Sequence, residues 1–367
     1  MIDKIAEEAQ GLLRRFTEAH GAPGYEGAVR RLVRDGLRDA GCAVTVDGTG
    51  NILCEKQGSA VRPRIMLAAH MDEVGFAVQS VTSNGLIKFV TLGGWWAHTL
   101  LAQRVRILTR SGAEVRGVVG SRPPHFLAEG ERDRLIKIDD MGIDVGAANA
   151  DEVRTRFGID LGDPIVPDSP FTPLGKEGWF LGKAFDDRAG VALMVHTLRL
   201  LAGGSHPNVV VGAGTVQEEV GVRGAQTAAR SADPDAAIVL EGTPADDLPG
   251  ITEDERQGVP GRGVQIRIMD PSAIMSRDFV QLAMDVAAAE GITYQVAVRR
   301  SGGTDAKAIH LHGRGVPTIV LGVPARYIHT HGGILCLDDY VAALRLVLKL
   351  VEVLDARAVE RFTAFGD

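Results

Sequence analysis

Apolar residues recur along this chain with two different periods, and the change from one to the other divides it. The first 45 residues, beginning IDKIAEEAQGLLRRFTEAHG, repeat apolar positions at helical spacing and predict two amphipathic helices around the Gly-rich turn GAPGYEG. Strand-like runs follow in AVTVDGTGNILCEK and RIMLAAH. From about residue 74 to 164 the pattern shortens into β-rich pieces: VGFAVQSV, GLIKFVTL, RVRILTR, AEVRGVVGS and RLIKIDDMG. Short strands at such close spacing predict a small barrel or sandwich rather than βαβ units. After FLGKAFDDR the alternation returns. It predicts helices over 188–201, 224–231, 276–290 and 338–354, and strands over 209–216, 236–241, 292–298 and 316–321. The expected fold class is therefore α/β: a mixed-sheet domain formed by 1–73 plus 165–367, interrupted by an inserted β-barrel-like domain at 74–164.

Polar residues that break the apolar runs carry the chemistry. His70 and Asp72 follow RIMLAAH; Asp186-Asp187 sits in KAFDDRAG; Glu218-Glu219 closes VVVGAGTVQEEVG; Glu241 ends AAIVLEG; His329 and His331 lie in RYIHTHGG. Adjacent carboxylates at a buried strand end repel and lose hydration, so they need solvent, an arginine or a cation. Each group alone has a plainer explanation: one Asp of the 186–187 pair caps the following helix, and Glu218-Glu219 fits a solvated turn. Their joint placement at the carboxyl ends of apolar strands is what points to a site, because open α/β sheets gather their sites there. Nitrogen and carboxylate donors without thiolates suit zinc, cobalt or manganese, and so many donors imply more than one divalent ion. In the His-x-Asp pattern, Asp72 can accept the imidazole N–H that does not face metal. Two ions sharing a carboxylate lower the pKa of water held between them, and one carboxylate of the Glu218-Glu219 pair can then act as general base. No Gly-x-Ser-x-Gly elbow is present, and the acids following VVVGAG would repel a dinucleotide pyrophosphate.

Composition narrows the setting. With 45% hydrophobic and 24% charged residues over 367 positions, the chain can bury a large core. A net charge of −7 disfavours a nucleic-acid partner. No run approaches a membrane span and none near the start resembles a signal peptide. The 3 cysteines (Cys42, Cys54 and Cys336) have no paired spacing, which favours a reducing, cytoplasmic location.

AHMDEVGF, KAFDDR, QEEVGVRGA, GGTDA and RYIHT, in this order, resemble the tetrahedral (TET) and glutamyl aminopeptidase family of dinuclear metallopeptidases, which includes deblocking aminopeptidases and endoglucanase-M-like proteins. The resemblance covers nearly the whole chain and implies two divalent ions per chain. It implies that His70 binds one ion, with Asp72 orienting its ring, and that Asp186 bridges both. Glu241 would complete the first ion's shell; Glu219 and His329 would hold the second, with Glu218 as base. Relatives often carry Asp where Glu241 stands and Ser-Pro where Thr330-His331 stands. The Arg-Tyr-Ile-His register assigns the ligand role to His329 and leaves His331 at the rim. The implied activity is removal of N-terminal residues from short peptides, in a homo-oligomer ranging from a dimer to a tetrahedral dodecamer. A deacylase acting on acylated amino acids and a non-catalytic assembly protein are the alternatives; a glycosidase fits poorly with clustered histidines. Trp95-Trp96 is a candidate subunit contact or a part of the insertion's core, and Lys307 is a solvated lysine or a contact for acidic substrates.

Overall fold

A computed structural model describes residues 2–364. Two helices, α1 (Ile2–Glu18) and α2 (Gly27–Gly36), lead into β1 (Ala43–Val46), β2 (Ile52–Lys56) and β3 (Arg64–His70). Next come β4 (Gly75–Val81), β5 (Ile87–Leu92), β6 (Arg104–Leu108), β7 (Glu114–Gly120), β8 (Gly142–Asp144), the short helix α3 (Ala150–Thr155) and β9 (Pro164–Pro167). The remainder alternates: β10 (Thr172–Pro173), β11 (Trp179–Gly182), α4 (Phe185–Leu200), β12 (Val209–Thr215), α5 (Arg223–Ala232) and β13 (Ala236–Pro244). It ends with β14 (Val264–Asp270), β15 (Ala273–Ile274), α6 (Arg277–Ala289), β16 (Tyr294–Val298), α7 (Ala306–Ile309), β17 (Thr318–Arg326), β18 (Gly333–Cys336), α8 (Leu337–Val353) and α9 (Ala356–Thr363).

The expected α/β fold with an inserted barrel is present. A 12-stranded mixed sheet has at its centre four parallel neighbours in the order β12-β3-β13-β17. β3 and β12 are buried almost end to end, which is why RIMLAAH and VVVGAGT read as unbroken apolar runs rather than alternating ones. α4 packs on this sheet beneath α1 and α8, so its side chains are buried all round rather than along one stripe. The barrel closes in the order β4-β5-β8-β7-β6-β9 around a separate apolar core that includes Phe76, Ile87, Val105 and Ile165. Its last strand runs to Pro167 and pairs with both β4 and β6.

Two sequence expectations shift. RLIKIDDMG is not a strand: Ile138–Asp140 forms a 3-10 turn and pairing begins at Gly142. Ile136 and Ile138 do pack on the barrel core, which produces the strand-like alternation. The main-chain donors of Asp140 and Met141 are satisfied locally by Lys137 and Ile138 instead. The strand expected to stop at 321 runs to Arg326, carrying Pro324 inside it, and VQIRIMD forms the further strand β14. Among the described residues no helix is long and apolar enough to cross a membrane, and the three cysteines are free.

Candidate metal centre

The four parallel strands end side by side, and their carboxyl ends assemble the site. β3 delivers His70, which lies opposite Thr215 at the end of β12. Two residues beyond β12 the chain turns through Gln217, Glu218 and Glu219. β13 carries Glu241, and the loop after β17 carries His329. Asp186 enters from above in the first turn of α4, where its own dihedrals and those of Asp187 are not yet helical.

Asp186 lies between the two imidazoles. Its Oδ1 is 3.0 Å from His70 Nε2 and its Oδ2 is 3.4 Å from His329 Nε2. Glu241 approaches His70 Nε2 at 3.9 Å, and Glu219 Oε1 approaches His329 Nε2 at 3.3 Å. The other ring nitrogens face main-chain carbonyls: His70 Nδ1 is 3.0 Å from Asp72 O, and His329 Nδ1 is 3.0 Å from Gly94 O in the barrel. A carbonyl only accepts, so each Nδ1 carries a hydrogen and leaves Nε2, directed at Asp186, as the nitrogen that can bind a metal once its own proton is lost. His70, Asp186 and Glu219 bring donor atoms within 4.8 Å of one another, as do His70, Asp187 and Glu241. Glu219 Oε1 is buried without a hydrogen-bond partner. An orphaned carboxylate oxygen beside an inward-facing imidazole, among oxygen and nitrogen donors only, fits a divalent cation.

Titration reflects the crowding of these acids. Burial pushes the Glu218 carboxyl up to about 9 and that of Glu219 up to about 8, and it raises those of Glu241 and Asp187 strongly. Burial also disfavours a charged Asp186, but hydrogen bonds with His329 and His70 outweigh it and hold this carboxyl well below the usual range. Burial acts to lower His329, yet the Asp186 hydrogen bond carries it up to about 9. Of these five acids, Asp186 is thus the one whose charged form its surroundings favour.

All seven sequence-predicted site residues line or support one cleft of about 680 Å³. His70, Asp186, Glu218, Glu219, Glu241 and His329 line it. Asp72 stands behind it with a different emphasis from the expected one. Its carboxylate is 3.5 Å from His70 Nδ1 but accepts the Glu218 and Glu219 amides, each at 3.0 Å. Asp187 takes the capping role: its oxygens accept from Gly190 N at 2.9 Å and from His70 N at 3.1 Å. His331 is buried away from the cleft, its ring 5.4 Å from that of Trp95, and lines a separate cavity. Trp95 stacks on Phe76 in the barrel core, whereas Trp96 is exposed. Lys307 reaches the cleft.

Sequence reasoning missed the charges behind the site. Lys183 Nζ bonds both oxygens of Glu73 at 2.6 Å, and Arg188 Nη2 meets Glu73 Oε1 at 3.1 Å, all three side chains being buried. Their signal was present in KAFDDR and MDEVG, where charges on both sides of the candidate ligands enter an apolar context. Gly242 was missed as well. It lets β13 pass against the Asp186 segment, since a Cβ there would overlap the Phe185 carbonyl and come within 2.7 Å of Asp186 N. Gly242→Ala should cost about 1–3 kcal/mol through overpacking. Thermal unfolding measures it, and an unchanged Tm would contradict the packing argument.

An α/β sheet with carboxylates and imidazoles converging at its strand ends, flanked by an inserted barrel, is the arrangement of a metal-dependent peptidase. The chain belongs to the M42 glutamyl aminopeptidase family, whose model matches residues 50–346. It is 35% identical over 350 residues to the glutamyl aminopeptidase of Lactococcus lactis, covering 95% of this chain and 97% of that protein. It is 34% identical over 349 residues to the lysyl aminopeptidase of Pyrococcus furiosus, covering 94% and 96%. Among solved structures, a TET aminopeptidase from a marine sediment Thaumarchaeota archaeon superposes with a TM-score of 0.93 at 41% identity, covering 97% of this chain and 99% of that one. The TET1 peptidase of Pyrococcus horikoshii, which assembles into a tetrahedron or a large octahedral shell, gives 0.83 at 29%, covering 94% and 100%. The protein is an aminopeptidase of a metal-dependent hydrolase family.

Proposed function

We propose that the chain is a dinuclear aminopeptidase that removes N-terminal residues from short peptides. The observation that carries this reading is Asp186, which presents one carboxylate oxygen to each of two inward-facing imidazoles. His70 and Glu241 would hold one divalent ion, Glu219 and His329 the other, and Asp186 both. Zinc, cobalt or manganese suits these donors. When bound, such ions activate water and polarise a peptide carbonyl. Glu218 lines the cleft but belongs to neither cluster of donor atoms. As general base it would take the proton of the attacking water and pass it to the leaving amine. Asp72 would fix the main chain that carries Glu218 and Glu219. In this reading 1–73 plus 165–367 is the catalytic unit, and the insertion at 74–164 would steady His329 through the Gly94 carbonyl and contribute subunit contacts.

The relatives' activities differ in N-terminal residue, glutamyl in one and lysyl in another, so a panel of aminoacyl and N-acylated substrates assayed with metal content tests the reading. Hydrolysis of free N-terminal residues with two metals per chain is expected. Activity confined to acylated amino acids would make the protein a deacylase, and inactivity of the metal-loaded protein would leave an assembly role. We extend the proposal to a cytoplasmic homo-oligomer, from dimer to dodecamer, that trims oligopeptides and spares folded proteins. Light scattering showing a fully active monomer would overturn that extension.

A further inference from the structure

The turn bearing Glu218 and Glu219 is held from behind by two buried carboxylates. Three successive main-chain amides are taken up: Gln217 N donates to Glu26 Oε1 at 3.2 Å, Glu218 N to Asp72 Oδ1 and Glu219 N to Asp72 Oδ2, both at 3.0 Å. Glu26 Oε1 also accepts from Gly24 N at 2.7 Å, which ties it into the loop ahead of α2. Glu26 is only 3% exposed. It lines neither the cleft nor either donor cluster. A carboxylate buried this deeply beside Asp72 is costly, and the buried Arg188 guanidinium lies close enough to attract both. Gln217 adopts a left-handed backbone, φ 57°, a conformation that a side chain other than glycine keeps only where its surroundings enforce it. Glu26 supplies one of those restraints at the residue immediately before Glu218.

We propose that Glu26 is a positioning residue for Glu218: its acceptor oxygen pins the Gln217 amide and so fixes where the following carboxylate enters the cleft. The proposal rests on the reading of Glu218 as general base. A base displaced by a fraction of its hydrogen-bond length loses proton-transfer geometry while the substrate-binding walls stay in place. The effect therefore belongs in kcat and not in KM or metal content. What matters is the position of the acceptor, so the amide of Gln can replace it, whereas Asp keeps the charge but withdraws the oxygen.

The test compares Glu26→Gln and Glu26→Asp by steady-state kinetics, metal content and thermal melting. Glu26→Asp should lose about tenfold or more in kcat, with KM unchanged and two metals retained, while Glu26→Gln stays within about threefold of the parent. Wild-type kcat in Glu26→Asp would overturn the proposal. So would a larger loss in Glu26→Gln than in Glu26→Asp, which would mark charge rather than placement as the requirement. Amide exchange of Gln217 in the unmodified protein gives a reading independent of any variant: protection like that of β12 is expected, and exchange at the rate of a free amide overturns the assignment. Full activity in Glu218→Gln would instead remove the general-base reading itself. An inactive Glu218→Gln beside a fully active Glu26→Asp would remove only the role of Glu26.

Discussion

Asp186→Ala is expected to leave at most one divalent ion per chain and to abolish measurable peptidase activity. The two oxygens of this carboxylate face two different imidazoles, at 3.0 and 3.4 Å. On the proposed dinuclear reading, removing it would delete a donor from both ions at once and take away the negative charge between them. Two divalent cations held close together without a shared anion repel strongly in a site screened from water. The loss should therefore exceed the roughly 10²–10⁴ typical of a missing general base. Metal analysis of the dialysed variant checks this. Retention of two ions would transfer the bridging role to Asp187, which is hard to reconcile with oxygens that accept the Gly190 and His70 amides.

Glu218→Gln should behave in the opposite way with respect to metal. The substitution keeps shape and hydrogen-bonding capacity but removes the proton acceptor, so both ions stay and the rate falls by about 10²–10⁴. KM should change little. The separation of metal content from rate is the diagnostic. Loss of both ions would make Glu218 a ligand and leave the base unassigned.

The parts of this site that were legible in the sequence share one physical cause. Buried parallel strands are continuously apolar, so His70, Glu218-Glu219 and Glu241 stand out where those runs stop. The barrel was legible through its short strands and close turns, although Asp139-Asp140 turned the last apparent strand into a tight bend. Side-chain to main-chain partnerships were not legible. The target of Asp72 depends on how the end of β3 lies against the turn after β12, across 146 residues of chain. Glu26 reaches that turn from 191 residues away, and nothing in GAPGYEG distinguishes it from a solvated helix-start residue. The Glu73, Lys183 and Arg188 cluster was obscured for a similar reason, since a charge on either side of a ligand motif reads as exposed until the helix that covers it is placed.

The carbonyl of Gly94 has a consequence for how the candidate metal centre can be inherited or dissected. His70 is steadied by a residue two positions along its own strand end, but His329 is steadied by a loop of the barrel. Gly93, at φ 87° and with a Cβ position 2.7 Å from a Val74 methyl and 3.3 Å from Glu219, lets that loop come so close. The barrel is thus a clasp on one half of the centre and not an appendage to it. A sheet domain excised without the barrel would keep the carbonyl that steadies His70 but lose the one that steadies His329, leaving that ring held through Nε2 alone by Asp186 and Glu219. Any contact that tilts the barrel against the sheet acts on that ring first.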